Sequence, residues 1–152
     1  VPQFRPVSVT DVLARELLTE YFSYRAESFP TPAGYVTTFP TAEQFEPPHG
    51  VFVVIEQSGN VVGCGGIRQL DPGVFEVKHL WVRPDGRGAG LGRQLLGELE
   101  RRARAWGATA LVLDTNESLA AAGGLYRSSG FATVAPYNDN PNATTWYRKE
   151  LR

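Results

Sequence analysis

The chain has 152 residues, 42% hydrophobic and 20% charged, with a formal net charge of -1. This balance suits one globular domain over residues 1–152 with a sizeable core, and it argues against a nucleic-acid partner, although all but two of the 15 basic residues are arginines able to grip phosphates locally. No stretch is long and apolar enough to span a membrane and the start, VPQFRPVSVTD, lacks a secretory apolar segment, so a cytoplasmic location without a membrane partner is expected.

No methionine occurs, not even an initiator, which implies a trimmed or processed start. Gln3 to Val9 alternates weakly, as a first strand does. Thr10 follows as an N-cap with Asp11 in the first turn, and Val12, Leu13, Leu17, Leu18, Tyr21 and Phe22 mark one apolar helical face ending near Arg25. Ser28 to Pro48 is proline-rich and aromatic without a regular period, with its clusters at Pro30–Gly34 and Pro47–Gly50. It reads as a long ordered loop with a short helix near Thr41 to Phe45, the kind of loop that forms lids or binding walls.

Val51–Glu56 and Asn60–Arg68 are β-rich runs joined by a hairpin signal, Gln57-Ser58-Gly59. Asp71-Pro72-Gly73 then leads into Val74–Val82, which predicts an antiparallel meander. Gly63, Gly65 and Gly66 weaken the middle strand and imply a bulge or a close approach by another segment. A helix from Gly90 to Trp106 stops at Gly107, and Thr109–Asp114 is a buried strand, so the crossover is parallel and right-handed. Ser118 is expected to cap a helix running through Ser129 and ended by Gly130. Gly123 and Gly124 inside it cost about 1 kcal/mol each relative to alanine, which a ligand close to the backbone would explain. Phe131–Val134 and Thr144–Leu151 close the chain around a loop at Pro136–Ala143. The fold class is mixed α/β: a central, largely antiparallel sheet of about seven strands flanked by helices.

The most informative stretch is Glu76 to Leu96, EVKHLWVRPDGRGAGLGRQLL. A strand ends at Pro84, and Leu91, Leu95, Leu96 and Leu99 then recur at helical spacing, so a glycine-rich turn feeds the start of a helix. Small residues let a ligand approach, and the unpaired N–H groups of a helix start favour an anion, most naturally phosphate. The dinucleotide fingerprint fails because Arg93 stands where its third glycine belongs, and a nucleoside-triphosphate loop fails because neither Lys78 nor Lys149 lies in the turn. A tight connection needing glycine only for its shape remains open.

Arg87-Gly88-Ala89-Gly90-Leu91-Gly92 matches the Arg/Gln-x-x-Gly-x-Gly/Ala turn of the GNAT acetyltransferases, and the chain resembles that superfamily over roughly Phe52 to Leu151. The resemblance implies parallel, splayed fourth and fifth strands with acetyl-coenzyme A as co-substrate between them. It assigns the pyrophosphate to Arg87, Gly88, Ala89, Gly90, Leu91, Gly92 and Arg93, and the thioester carbonyl and pantetheine arm to the backbone of Leu80, Trp81 and Val82. Glu76 stands where several members carry a general base; an ion pair with Lys78 or an arginine, or a contact to a cationic substrate, are its other readings. On period two, Glu76, Lys78, Leu80 and Val82 share one face of the strand, and Val77, His79 and Trp81 the other.

Leu125-Tyr126-Arg127-Ser128-Ser129-Gly130-Phe131 is similar to the family's second motif, in which Tyr126 would protonate the departing thiolate; packing is the plainer role. Leu119 departs from the pattern where many relatives carry asparagine. Glu76 to Val82, Leu113-Asp114-Thr115 and Pro136 to Pro141 further resemble a small bacterial subgroup with E-x-K-R-x-aromatic-V, L-D-T and P-Y-x-x-N-P motifs, except that His79 replaces its usual arginine. In that reading Tyr137, Asn138 and Asn140 line the acceptor site opposite Tyr21, Tyr24 and Arg25, with turn chemistry as the alternative for the asparagines.

Arg83 and Arg127 also stand near the turn, although solvated surface charge is the default for such arginines. Cys64 has no base or positive charge beside it and reads as a buried small hydrophobe, and no residue pattern points to a metal. The function expected is therefore N-acetylation of a primary amine of a small molecule or amino acid by direct attack, with a homodimer allowed by the resemblance. The alternative is a non-catalytic acetyl-CoA-binding sensor or interaction module.

Overall fold

The computed structural model describes residues 1–31 and 34–152 of the chain; Pro32 and Ala33, within the predicted loop cluster, lie outside the described residues. The strands β1 (Gln3–Pro6), β2 (Gly50–Gln57), β3 (Asn60–Asp71), β4 (Val74–Val82), β5 (Ala110–Thr115), β6 (Ala132–Val134) and β7 (Thr145–Glu150) form one seven-stranded sheet. Their order is β1-β2-β3-β4-β5-β7-β6, and only the β4–β5 pair is parallel. The helices are α1 (Val12–Ser28), α2 (Leu91–Ala105) and α3 (Ala120–Ser128), and a short 3-10 turn spans Ala42–Phe45. Among the described residues no helix is long and apolar enough to cross a membrane.

One face of the sheet packs Val51, Val53, Ile55, Ile67, Phe75 and Val77 against Leu91, Leu95, Leu96 and Leu99 of α2 and Tyr126 of α3. The other packs Phe52, Val54, Cys64 and Trp81 against Ala14, Leu17, Leu18 and Phe22 of α1. Each β2 residue thus alternates between the two cores, as period two requires of a strand buried on both sides.

Several local predictions are corrected by side-chain hydrogen bonds. Asp11 rather than Thr10 caps α1: its carboxylate accepts from the Leu13 amide at 2.9 Å, while the Thr10 hydroxyl is engaged with Ser8. Val12, placed on the apolar face, is exposed, and the helix runs on to Ser28. Ser118 does not cap α3; its amide donates to the Asn116 side chain, and the helix begins after Leu119 without a side-chain cap. The expected hairpin is present, with Ser58 and Gly59 both at positive φ, as a tight two-residue turn between twisted strands requires.

The face assignment along β4 holds only as far as Lys78. Gly66 opposes Lys78 but Cys64 opposes Trp81, so β4 carries one extra residue, and His79 absorbs it at φ 59°. The bulge inverts the alternation: Leu80 and Val82 pack with Val77 on the α2 side, and Trp81 enters the α1 core. The glycines of β3 make room for it. A Cβ at Gly63 would lie 2.5 Å from the Trp81 carbonyl oxygen, and the Cys64 thiol donates to the His79 carbonyl at 3.6 Å.

Gly63→Ala is therefore expected to lose about 1–3 kcal/mol of stability, read as a lower thermal midpoint; an unchanged midpoint would contradict the close approach. Cys64 is fully buried and burial pushes its thiol up, so it should resist iodoacetamide in the native protein and react once the protein is unfolded.

Candidate active site

β4 and β5 exchange ladder bonds only from Val74 to Glu76 and from Ala110 to Val112. Beyond that register they separate, leaving Val77–Val82 and Leu113–Thr115 on either side of a gap. A cavity of about 630 Å³ occupies the gap, lined by both strands, by α1 and α3, and by the long loop after α1. Asn142 ties that loop down: its amide group accepts from the Val36 N–H at 2.9 Å and donates to the Val36 carbonyl at 2.7 Å.

At one end of the cavity is the glycine turn. Gly90 caps α2 at φ 74°, in the left-handed region that favours glycine, and the first helical bond runs from Gln94 to Gly90. The N–H groups before Gln94 therefore have no helical partner, and Gly88, Ala89 and Gly90 are exposed. Arg87 and Gly92 line the cavity itself; Leu91 is buried in the α2 core, and Arg93 is turned away to bond Ser128 and Ser129. Arg87 lies 5.0 Å from the Trp81 ring centroid and 5.6 Å from that of Tyr24, which lines the same cavity from α1. Arg83 is held by Glu20 at 2.7 Å, and its guanidinium keeps the Glu20 carboxyl below its ordinary range. Arg127 bonds the Tyr147 hydroxyl.

Leu80, Trp81 and Val82 line the gap. So does Tyr126, whose hydroxyl bonds no other described residue; burial pushes the phenol up, so it stays protonated through neutral pH. Leu119 lines the same wall, where an asparagine would have offered an amide.

Glu76 is fully buried behind the lining rather than in it. Arg68 donates to Oε1 through Nε at 2.9 Å and Nη2 at 2.8 Å, and the Tyr137 hydroxyl donates to Oε2 at 2.5 Å. Burial, and then the Glu76 charge, push the Tyr137 phenol up. The ion-pair reading of Glu76 is thus realised with Arg68 rather than Lys78, which instead lies 3.6 Å from Asp114. Asn138 donates to Asp114 at 2.7 Å and accepts from the Trp146 indole at 2.9 Å. Asn138 and Asn140 both line the cavity, and both also make the side-chain turn bonds that order their own loop.

Tyr21 and Arg25 reach the cavity from α1. Arg68, Lys78, His79 and Asp114 also line it, and sequence reasoning placed none of them in the acceptor or coenzyme site; Asp114 was visible only inside the Leu113-Asp114-Thr115 match. Nδ1 of His79 is buried without a partner among the described residues, and burial, reinforced by Lys78, Arg68 and Arg25, holds the imidazole well below its ordinary pKa and therefore neutral. Among the described residues no cluster of His, Cys, Asp or Glu could hold a metal.

A profile of the Acetyltransferase (GNAT) family matches residues 13–131. An uncharacterized N-acetyltransferase of Schizosaccharomyces pombe is 37% identical over 108 residues, covering 70% of this chain and 66% of that protein. An IAA acetyltransferase of Azospirillum brasilense is 37% identical over 123 residues, covering 80% of this chain and 78% of the other. In fold, the crystal structure of a GNAT-family acetyltransferase from Staphylococcus aureus superposes with a TM-score of 0.82 over 100% of both chains at 18% identity.

Proposed function

Because the chain belongs to the Acetyltransferase (GNAT) family, we propose that it moves an acetyl group from acetyl-coenzyme A to a primary amine of a small molecule or amino acid by direct attack. The observation that carries this reading is the cavity that opens where β4 and β5 part and joins the helix-start turn to Tyr126 and Arg25. The Glu76–Val82 and Pro136–Pro141 motifs favour a small bacterial enzyme, in which a homodimer is allowed.

The diphosphate sits on the free amides from Gly88 to Arg93, where the helix dipole and Arg87 add positive potential. The pantetheine arm runs along the open edge of β4, and backbone N–H groups around Leu80 to Val82 polarise the thioester carbonyl. The amine nitrogen attacks the carbonyl carbon; as the new C–N bond forms, the C–S bond breaks. Tyr126 gives its proton to the departing thiolate.

The ammonium proton leaves towards Glu76. Since Oε1 is occupied by Arg68 and Oε2 by Tyr137, and neither Glu76 nor Tyr137 is part of the cavity lining, the amine proton goes first to water in the cavity and reaches the carboxylate through the Tyr137 hydroxyl, which passes its own proton to Oε2 as it takes one from that water. The same carboxylate fixes Arg68 at the cavity wall.

Thiol release with a panel of amines, together with calorimetric coenzyme binding, tests these assignments. Tyr126→Phe should lower kcat by about 100-fold while coenzyme Kd stays within about twofold. Glu76→Gln should lower kcat by a similar factor of about 100 and bring a matching loss in Tyr137→Phe. Turnover unchanged in these variants would reject the roles, and coenzyme binding with no turnover on any amine would favour a sensor.

A further inference from the structure

The cavity contains a charge that the transfer chemistry leaves unused. Arg25 lies on the buried face of α1, three residues after Phe22 and seven after Leu18, and retains only 8% of its exposure. The other cations on the lining are accounted for: Arg68 pairs with Glu76, Lys78 with Asp114, and Arg87 bonds the Val82 carbonyl at the coenzyme end. The Arg25 guanidinium bonds the Tyr21 hydroxyl at 3.0 Å and lies 4.9 Å from the Tyr35 ring centroid. Among the described residues, no carboxylate comes within ion-pair distance of it. A largely buried guanidinium that faces the cavity with no carboxylate beside it is a ready partner for an anion.

We propose that the acceptor supplies the counter-charge: an amine that also carries a carboxylate, docked on Arg25, so that the substrate is a free amino acid or a similar amino carboxylic acid. This deepens the transferase reading and rests on it. Planar carboxylate recognition is what a guanidinium does best. Asp114, the only acidic residue among the described lining residues, is already engaged by Lys78 at 3.6 Å and Asn138 at 2.7 Å, which leaves Arg25 as the lining cation free to take the acceptor's carboxylate. The cavity must also take the pantetheine arm, and Asn142 holds its roof to Val36, which leaves space for a metabolite. A peptide N-terminus has an amide in place of the free carboxylate and would leave Arg25 unpaired.

The test compares thiol release from the common L-amino acids, their α-amides and their decarboxylated amines, using the wild type, Arg25→Met and Arg25→Lys, with coenzyme Kd measured for each protein. The expected result is turnover confined to the carboxylates. Arg25→Met should raise KM for the best acid by roughly 100-fold, and Arg25→Lys should restore part of it, with coenzyme Kd within about twofold throughout. Amides or plain amines used as well as the acids would overturn the carboxylate claim and leave the transferase reading standing. An unchanged KM in Arg25→Met would do the same, whereas a panel that binds coenzyme normally and releases no thiol would overturn the carboxylate claim and the transferase reading together. Failure of the wild type to bind coenzyme at all would remove the transferase reading, and this claim with it.

Discussion

After Glu76 and Val112, two neighbouring parallel strands stop bonding to each other, and the site depends on that lost ladder. An interior sheet edge with free N–H and C=O groups is unfavourable unless something pairs with it. The chain keeps it open through contacts on either side. β5 stays fully paired with β7, while β4 bends away at a bulge whose extra residue, His79, sits in a backbone region that L-residues rarely adopt. Gly63 and its glycine neighbours in β3 accept the bend because no side chain stands in its way.

The bulge also sorts side chains by chemistry. Before it, Glu76 and Lys78 face the polar end with Arg68 and Asp114; after it, Leu80 and Val82 join the α2 core. The buried charges there are paired and hydrogen-bonded, as a low-dielectric interior demands. On the other side, Glu20 receives both Arg83 and the Trp81 indole, which anchors α1 to β4 and holds Tyr21 and Arg25 over the gap. Position and charge in the cavity therefore come from the same few contacts.

The strand, turn and helix around Arg87 were legible in the sequence because leucine spacing and glycine chemistry act locally there, and the Ser58-Gly59 hairpin was legible for the same reason. The phase of β4 was not. A period-two reading assumes an unbroken pleat, and nothing about His79 in isolation announces that it will take a positive φ. Partner choice was hidden too. Glu76 was singled out, but that it meets Arg68 and Tyr137, eight and sixty-one residues away in the chain, follows only from the register of β3 against β4 and the path of the loop before β7. Asp11 displaced Thr10 as a cap because Ser8 had taken the Thr10 hydroxyl, a competition that capping preferences do not rank.

The most direct measurement of the central claim is a crystal structure of the protein grown with coenzyme A. The expected density has the diphosphate on the amides of Gly88 to Arg93 and the pantetheine arm alongside β4 between Val77 and Val82, acting as the strand missing from the gap. A diphosphate bound elsewhere, or β4 and β5 zipped together past Glu76 with the coenzyme outside them, would contradict it.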